Sequence, residues 1–287
     1  MKFEFIYEHR PLFTVEKMCH AFNVSRGGYY AWLHREDSPQ KKENDKIMTA
    51  IIEIHEKSRR TYGSPRILAA LKAKGYWCGK NRVARLMKSK GIAAKTKRKF
   101  KATTNSKHNL PVAPNLLEQN FSVDAPNKVW VSDITYIWTN EGWLYLATVI
   151  DLYSRMVVGW AMSARIDREL VIRALNAAIE QRAPKPGIIF HSDRGVQFCS
   201  NDFRVLLEMN GFKQSMSRKG NCYDNAVAES FFHSLKTELI FFENYATRAS
   251  ARSSIFDYVE IFYNRERRHS TIGYLTPVAF ESLAKVA

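Results

Sequence analysis

Val129-Trp-Val-Ser-Asp133-Ile-Thr-Tyr-Ile-Trp138 is the stretch on which the reading of this chain turns. It is rich in β-branched and aromatic side chains, the composition of a strand laid on a packed surface. Two more runs of that kind follow at 143–152 and 156–162, and Asn140-Glu141-Gly142 supplies a hairpin turn between the first two. Leu170, Val171, Ala174, Leu175, Ala178 and Ile179 then recur at helical spacing. Pro184, Pro186 and Gly187 break that helix ahead of a short strand at 188–191. A helix near 200–209, a strand near 211–217 and a glycine-containing loop at 218–225 lead to one more helix. Three antiparallel strands, then helix, strand, helix, strand, helix, is an α/β order, and it predicts a mixed sheet.

Two acids sit in this framework where acids are unfavourable. Asp133 lies inside the first strand, and Asp193 directly follows the short strand at 188–191. A carboxylate in such an apolar run is expensive unless it meets something positive. The third acid belongs to the last helix, Asn225-Ala-Val-Ala-Glu229-Ser-Phe-Phe-His-Ser-Leu-Lys236-Thr-Glu-Leu239. There Ala228, Phe232, Leu235, Leu239 and Phe242 form an apolar stripe, with Asn225, Glu229, His233 and Lys236 as a polar row beside it. The spacing predicts Glu229 and Lys236 on one exposed row, rigid and facing out. Taken singly, an Asp in a strand is an ordinary edge or turn residue, and a Glu on a helix is ordinarily solvated. It is the joint pattern that makes Asp133, Asp193 and Glu229 a candidate metal-binding and catalytic set. Hard oxygen ligands suit Mg²⁺ or Mn²⁺, and two such ions can activate an attacking oxygen and steady a leaving one in phosphoryl transfer. No histidines or cysteines stand at zinc spacing.

The 287 residues, 45% hydrophobic and 13% aromatic, are enough for a substantial core and more than one domain. No apolar run has the length of a membrane span, and MKFEFIYEHR lacks the apolar region of a signal peptide. Cys19, Cys78, Cys199 and Cys222 are scattered, as expected in a reducing cytoplasm. The net charge of +16 is placed unevenly: residues 1–110 hold 25 Lys/Arg against 9 Asp/Glu, and the remainder holds 19 of each. That asymmetry predicts a basic, helical DNA-binding region over 1–110 ahead of an electrically balanced body.

Within that region, 14–34 reads as a helix, a turn near Asn23 and a second helix capped by Ser25, which would present Arg26, Tyr29 and Tyr30. A plain helical hairpin fits the same pattern. A second helix-turn-helix candidate spans 46–91, with Ser64-Pro65 opening one helix and Asn81 capping the next. Its last helix sets Val83, Leu86 and Met87 against a basic side of Arg82, Arg85, Lys88 and Lys90. Residues 95–110 form a basic tether able to contact phosphates, and the prolines at 111 and 114 set the domain boundary before about 120. A helix at 255–263 leads to the basic run Asn264-Arg-Glu-Arg-Arg268-His, in which Arg267, Arg268 and His269 are candidate DNA backbone contacts. Tyr136, Tyr153 and Trp160 are expected in the core, and His191, Arg194 and Gln197 beside Asp193 in either a structural or a DNA-contacting role.

WVSDITYI, FHSDRGVQF and SRKGNCYDNAVAESFFHSLKTEL together resemble the three blocks of the DDE transposases with a retroviral-integrase-like core. More closely, the chain resembles the second-frame protein of two-frame bacterial insertion sequences. YNRERRHSTIGYLTPVAFE is similar to that family's C-terminal block, and VSRGGYYAWLHR with YGSPRILAALK to its N-terminal region. The resemblance implies an RNase H-like core over 121–243 with Asp133, Asp193 and Glu229 as its metal triad, and a C-terminal helical extension over 244–287. It implies that Lys236 contacts the DNA end and that Asn225 shapes the site. No His/Cys zinc domain of the retroviral kind precedes the core. The implied activity is metal-dependent strand cleavage and 3′-OH transfer between the element's terminal inverted repeats and a target. The implied partners are DNA, further copies of the chain, and an upstream-frame protein joined by frameshifting. A nuclease that only hydrolyses and a DNA-binding regulator without chemistry are the alternatives.

Overall fold

The computed structural model describes residues 1–95, 111–218 and 222–284. The basic tether from 96 onward and the middle of the loop at 218–225 lie outside the described residues. The chain divides into two compact units, Met1–Ile52 and Glu53–Ala287.

The first unit holds α1 (Lys2–His9), α2 (Val15–Ala21), α3 (Arg26–Leu33) and the opening of α4 (Pro39–Lys57). Ser25 caps α3 by accepting a 3.0 Å hydrogen bond from the Gly28 N–H, and Asn23 turns the chain at positive φ, as the sequence predicts. Ile6, Met18, Cys19 and Tyr29 form its small core, against which Phe3 and Trp32 pack. Helix α1 has no counterpart in the sequence reading. Its apolar residues supply part of that core, which two helices of seven and eight residues could not close alone.

The second unit begins with the rest of α4, then α5 (Ser64–Ala73) and α6 (Lys80–Ser89). The N-cap of α6 is Gly79, so Asn81 lies within the helix instead of capping it. The sheet comprises β1 (Val129–Thr139), β2 (Gly142–Asp151), β3 (Val157–Ser163), β4 (Ile189–Ser192) and β5 (Lys213–Met216). Their order is β3-β2-β1-β4-β5, with β1, β2 and β3 antiparallel and β4 and β5 parallel to β1. This is the mixed sheet that the element order predicts.

Side chains alternate along β1 and feed two cores. Val131 and Ile137 join a cluster with Phe231 and Leu235 of α9 (Ala226–Glu238), Ile255 of α10 (Arg248–Phe256), and Tyr258 and Phe262 just beyond it. Trp130 joins the other cluster, with Leu170 and Ala174 of α7 (Arg168–Arg182) and Phe203 and Leu207 of α8 (Asn201–Met209). The result is a sheet with helices on both faces. On β3, a Cβ at Gly159 would strike Ala174 O and Ala178 N of α7, so glycine is what lets helix and sheet approach so closely. Beyond α10 the chain continues in wider π-type turns over Asp257–Glu266, and α11 (Pro277–Ala284) follows. Tyr136, Tyr153 and Trp160, expected in the core, are only half-buried.

The packing boundary departs from the charge boundary expected near 111–120. Arg59 Nη2 lies 2.6 Å from Asp257 Oδ2, and Arg66 Nη1 lies 3.6 Å from Glu238. The Tyr62 hydroxyl donates to Glu266 O at 3.1 Å and accepts from Arg268 N at 2.7 Å. Residues 53–95 are thus packed into the same unit as the sheet, although their charge matches the N-terminal third. None of the described helices is long and apolar enough to cross a membrane.

Candidate active site

The acids are brought together by strand register. In the parallel pair, Ser132 of β1 is opposite Ser192 of β4, and β4 stops there while β1 runs on to Thr139. The next residue along each strand is an acid, so Asp133 and Asp193 sit side by side where the two strands part. Pockets at the carboxyl ends of parallel strands arise in this way, because diverging chains leave an open crevice. The third acid is tied to the same point. Asn225, the N-cap of α9, donates from Nδ2 to Ser132 O at 3.2 Å, and Glu229 follows one turn into the helix. The carboxylates are also held by backbone: Ile134 N donates to Asp133 Oδ1 at 2.7 Å and Gly195 N to Asp193 Oδ1 at 3.0 Å.

Their electrostatics are those of crowded like charges. The Asp133 carboxyl is pushed well above its ordinary range, first by desolvation and then by the neighbouring charge of Asp193. Glu229 adds to that push, while the Ile134 N–H and the Lys236 charge oppose it. Glu229 is itself raised, by partial burial and then by Asp193. A group of carboxylates that resists ionising together is relieved by a proton or by a cation. Hard oxygen donors with no imidazole or thiolate among them fit Mg²⁺ or Mn²⁺. Among the described residues no three such side chains already close around one point. Drawing them onto one ion therefore requires side-chain movement, for which the exposed Glu229 has room.

Lys236 and Asn225 depart from the expected exposed row. Both are buried, and only Glu229 and His233 of that row face solvent. Lys236 Nζ lies 4.8 Å from the centroid of the Tyr136 ring. Burial lowers its pKa to about 8, against the upward pull of Asp133. Asn225 is the tie between α9 and β1, with its Oδ1 left unpartnered in the interior. The apolar stripe also ends early, because α9 stops at Glu238 and Ile240–Phe242 form a tighter turn that leaves Phe242 exposed.

In the basic run near the C-terminus, two of the three expected DNA contacts, Arg267 and His269, are enclosed. Arg267 is 3% exposed, and its guanidinium grips both oxygens of Glu238 at 2.6–3.1 Å, so it is not available to a phosphate. Burial and then the Arg267 charge push His269 down to about 2, which leaves it neutral and enclosed. Arg268 is half-buried, with Nη1 donating to Tyr274 O at 2.9 Å. On α6, Arg85 and Lys88 are exposed and Arg82 is half-buried, on the side away from the buried Val83 and Met87. Arg26 is exposed at the start of α3, 3.1 Å from Glu16.

Around Asp193 the flanking residues bond to neighbouring side chains and backbone. His191 is buried between Ser215 Oγ at 2.8 Å and Ser217 Oγ at 3.2 Å, and burial pushes it down to about 4. Arg194 Nε donates to Ser217 O at 2.6 Å, and Gln197 Nε2 to Ile166 O at 3.4 Å. Asp224, which the sequence reading passed over, is a buried anchor ahead of α9. It accepts from Arg218, Asn115 and Gln119, and the Arg218 bond holds its carboxyl well below the usual range. Its position directly before Asn225 was the available signal.

The chain is similar to known proteins over almost its whole length. Residues 123–222 and 229–283 match two integrase core domain families, and residues 42–100 match an HTH-like domain. The chain is 50% identical over 263 residues to an insertion element IS600 uncharacterized 31 kDa protein of Shigella sonnei, covering 92% of this chain and 97% of that one. It is 43% identical over 284 residues to transposase InsF for insertion sequence IS3A of Escherichia coli K12, covering 98% and 99%. Among solved structures, the catalytic core domain of BIV integrase aligns at TM-score 0.42 and 19% identity, over 56% of this chain and 97% of that one.

Proposed function

We propose a reaction for this chain from the family to which it belongs: it is one of the insertion-sequence transposases with an integrase core and an HTH-like domain. As a polynucleotidyl transferase it cuts a DNA strand at the element's end and joins the freed 3′-OH to a target phosphodiester. Asp133, Asp193 and Glu229 are the residues that would hold the divalent metal. Two Mg²⁺ or Mn²⁺ ions bound there supply Lewis acidity to the attacking and leaving oxygens. The chain's own part is to position the strand and exclude alternatives. The β1–β4 crevice fixes the two aspartates, the Asn225–Ser132 bond fixes the height of Glu229, and Lys236 offers a cation beside Asp133 for the scissile-end phosphate. Arg26, Arg82, Arg85 and Lys88 are the candidates for holding duplex DNA.

The observation that best supports this reading is the Ser132–Ser192 register, which sets Asp133 beside Asp193. The test combines the purified chain, linear DNA carrying the element's ends, Mg²⁺ and a plasmid target. Joined product at a labelled 3′ end is expected. Cutting without joining would make the chain a nuclease, and absence of metal-dependent nicking would make it a DNA-binding regulator.

End selection and assembly belong to the same proposal. Transfer of two ends needs at least two copies in fixed geometry, and the sequence carries no sustained heptad to pair them. The upstream-frame protein, fused by frameshifting, is our candidate for both duties. The fused form should then select intact over scrambled terminal repeats, and the chain alone should do so poorly. Full selectivity by these 287 residues alone would refute it.

A further inference from the structure

We propose that the tip of the β1–β2 hairpin is a stacking site for one unpaired nucleobase at the DNA end. This rests on the transposase reading above and adds a subsite to it. A cleft of about 460 Å³ opens here, and its lining includes Tyr136, Trp138, Asn140, Trp143, Lys236 and Asn244. Trp138 and Trp143 are opposite one another in the β1–β2 register, and they are 58% and 42% exposed. Their ring centroids are 4.8 Å apart at 76°, and Tyr136 meets Trp143 edge-on at 5.1 Å. Three large rings are thus locked together by edge contacts, which leaves ring surface to solvent. Single exposed aromatics are common on proteins, but a pre-ordered cluster lining a cleft marks a binding surface.

The chemistry of the lining selects the occupant. A flat aromatic ligand matches the indole faces, and the Asn140 and Asn244 carboxamides can each donate to and accept from its polar edge. Lys236 and Glu243 both line the cleft, so its charges offset, and the rings with the two carboxamides are what select a flat aromatic ligand with a polar edge, as a nucleobase has. A nucleotide has that composition, and an apolar peptide does not. Lys236 also joins the cleft to the acids, since its charge acts on Asp133. A nucleotide seated here would hold its neighbour in the strand toward Asp133. The base must be unpaired, because a base inside duplex DNA has both faces covered. Stacking on aromatic side chains is sequence-tolerant, so the site would hold the end without reading it. Past Ser192, β1 has no strand partner on the β4 side among the described residues, and among these the sheet leaves the approach to this tip uncovered.

The test uses the full chain with Asp133→Asn to prevent cutting. Its probe is a duplex with a short unpaired 3′ overhang containing 5-iododeoxyuridine. Near-ultraviolet irradiation should crosslink the overhang to Trp138 or Trp143, identified by peptide mass spectrometry. A blunt duplex labelled at an internal pair should not crosslink there. Trp138→Ala with Trp143→Ala should abolish the crosslink and remove the preference for overhang over blunt end, by about tenfold, the scale of one lost stack. Trp138→Phe should retain it, which separates stacking from damage to the fold. Crosslinks confined to other residues, or an overhang preference unchanged in the double variant, would overturn the proposal. Competition by free deoxyuridine monophosphate as effective as by the overhang would also overturn it, because the site would then take a nucleotide and not a strand end. Metal-dependent nicking by the unmodified chain is scored separately. Nicking with no crosslink at the tip refutes only this site, and a crosslink without nicking refutes only the transposase reading.

Discussion

At the level of single residues, the site is a set of groups kept in unfavourable states by their neighbours. Asp133→Asn, Asp193→Asn or Glu229→Gln should reduce cutting and joining by about a thousandfold or more, because groups that act as a unit fail together. The same changes relieve like-charge crowding, so Asp133→Asn should melt at or above the temperature of the unmodified chain without metal. Added Mg²⁺ should raise the melting temperature of the unmodified chain and leave that of the three-fold variant unchanged, since only a ligand that binds the folded state stabilises it. Robust joining by any single variant would remove that residue from the site. Lys236 titrates near 8, below a free lysine, and is charged below that value and neutral above it. Binding of a DNA end should therefore weaken as pH rises through about 8, and Lys236→Arg should abolish that dependence, measured by anisotropy on end-bearing duplex. These residues were unequally legible. The aspartates were visible because acids in apolar runs are anomalous. The burial of Lys236 was not, because helical periodicity cannot show that Tyr136 comes to lie beneath it. Arg267 reads in the sequence as a DNA backbone contact, since Glu238, its partner, lies 29 residues away.

At the level of elements, β4 and β3 carry constraints that their short sequences conceal. His191 on β4 has a folded pKa of about 4, below its ordinary 6.5, so the folded chain binds fewer protons than the unfolded chain between those values. Stability must then fall as pH drops from about 6.5 to 4, by at most roughly 1.4 kcal/mol per pH unit from this residue. Thermal melts across that range should show a shallower acid slope for His191→Gln, whatever its stability at neutral pH. On β3, Gly159→Ala should destabilise by about 1–3 kcal/mol, because the new methyl meets α7 backbone that cannot rotate away. A denaturant midpoint equal to that of the unmodified chain would show that helix and sheet are not in that contact. Strand and helix positions were largely readable from periodicity and from the prolines at 184 and 186. The register was not, because pairing Ser132 with Ser192 depends on two segments 60 residues apart.

At the level of the molecule, charge and packing divide the chain differently. A fragment cut at residue 111 keeps the sheet and all three acids but loses the partners that Arg59, Tyr62 and Arg66 provide to Asp257, Glu266, Arg268 and Glu238. That fragment should melt several degrees below the full chain, while one beginning at the start of α4 should not; equal melting temperatures would reduce these interactions to surface decoration. The consequence reaches to how such proteins can be recombined. Glu238 closes the helix that carries Glu229, and residues from both sides of the basic tether hold it. A chimera spliced at the tether inherits its 53–95 segment from one parent and the residues that clasp it from another. One spliced upstream of α4 keeps the clasp whole and exchanges only the first three helices. Heritable exchange of the first three helices is therefore expected to be tolerated ahead of α4 and resisted at the tether, where the change in charge would suggest the opposite.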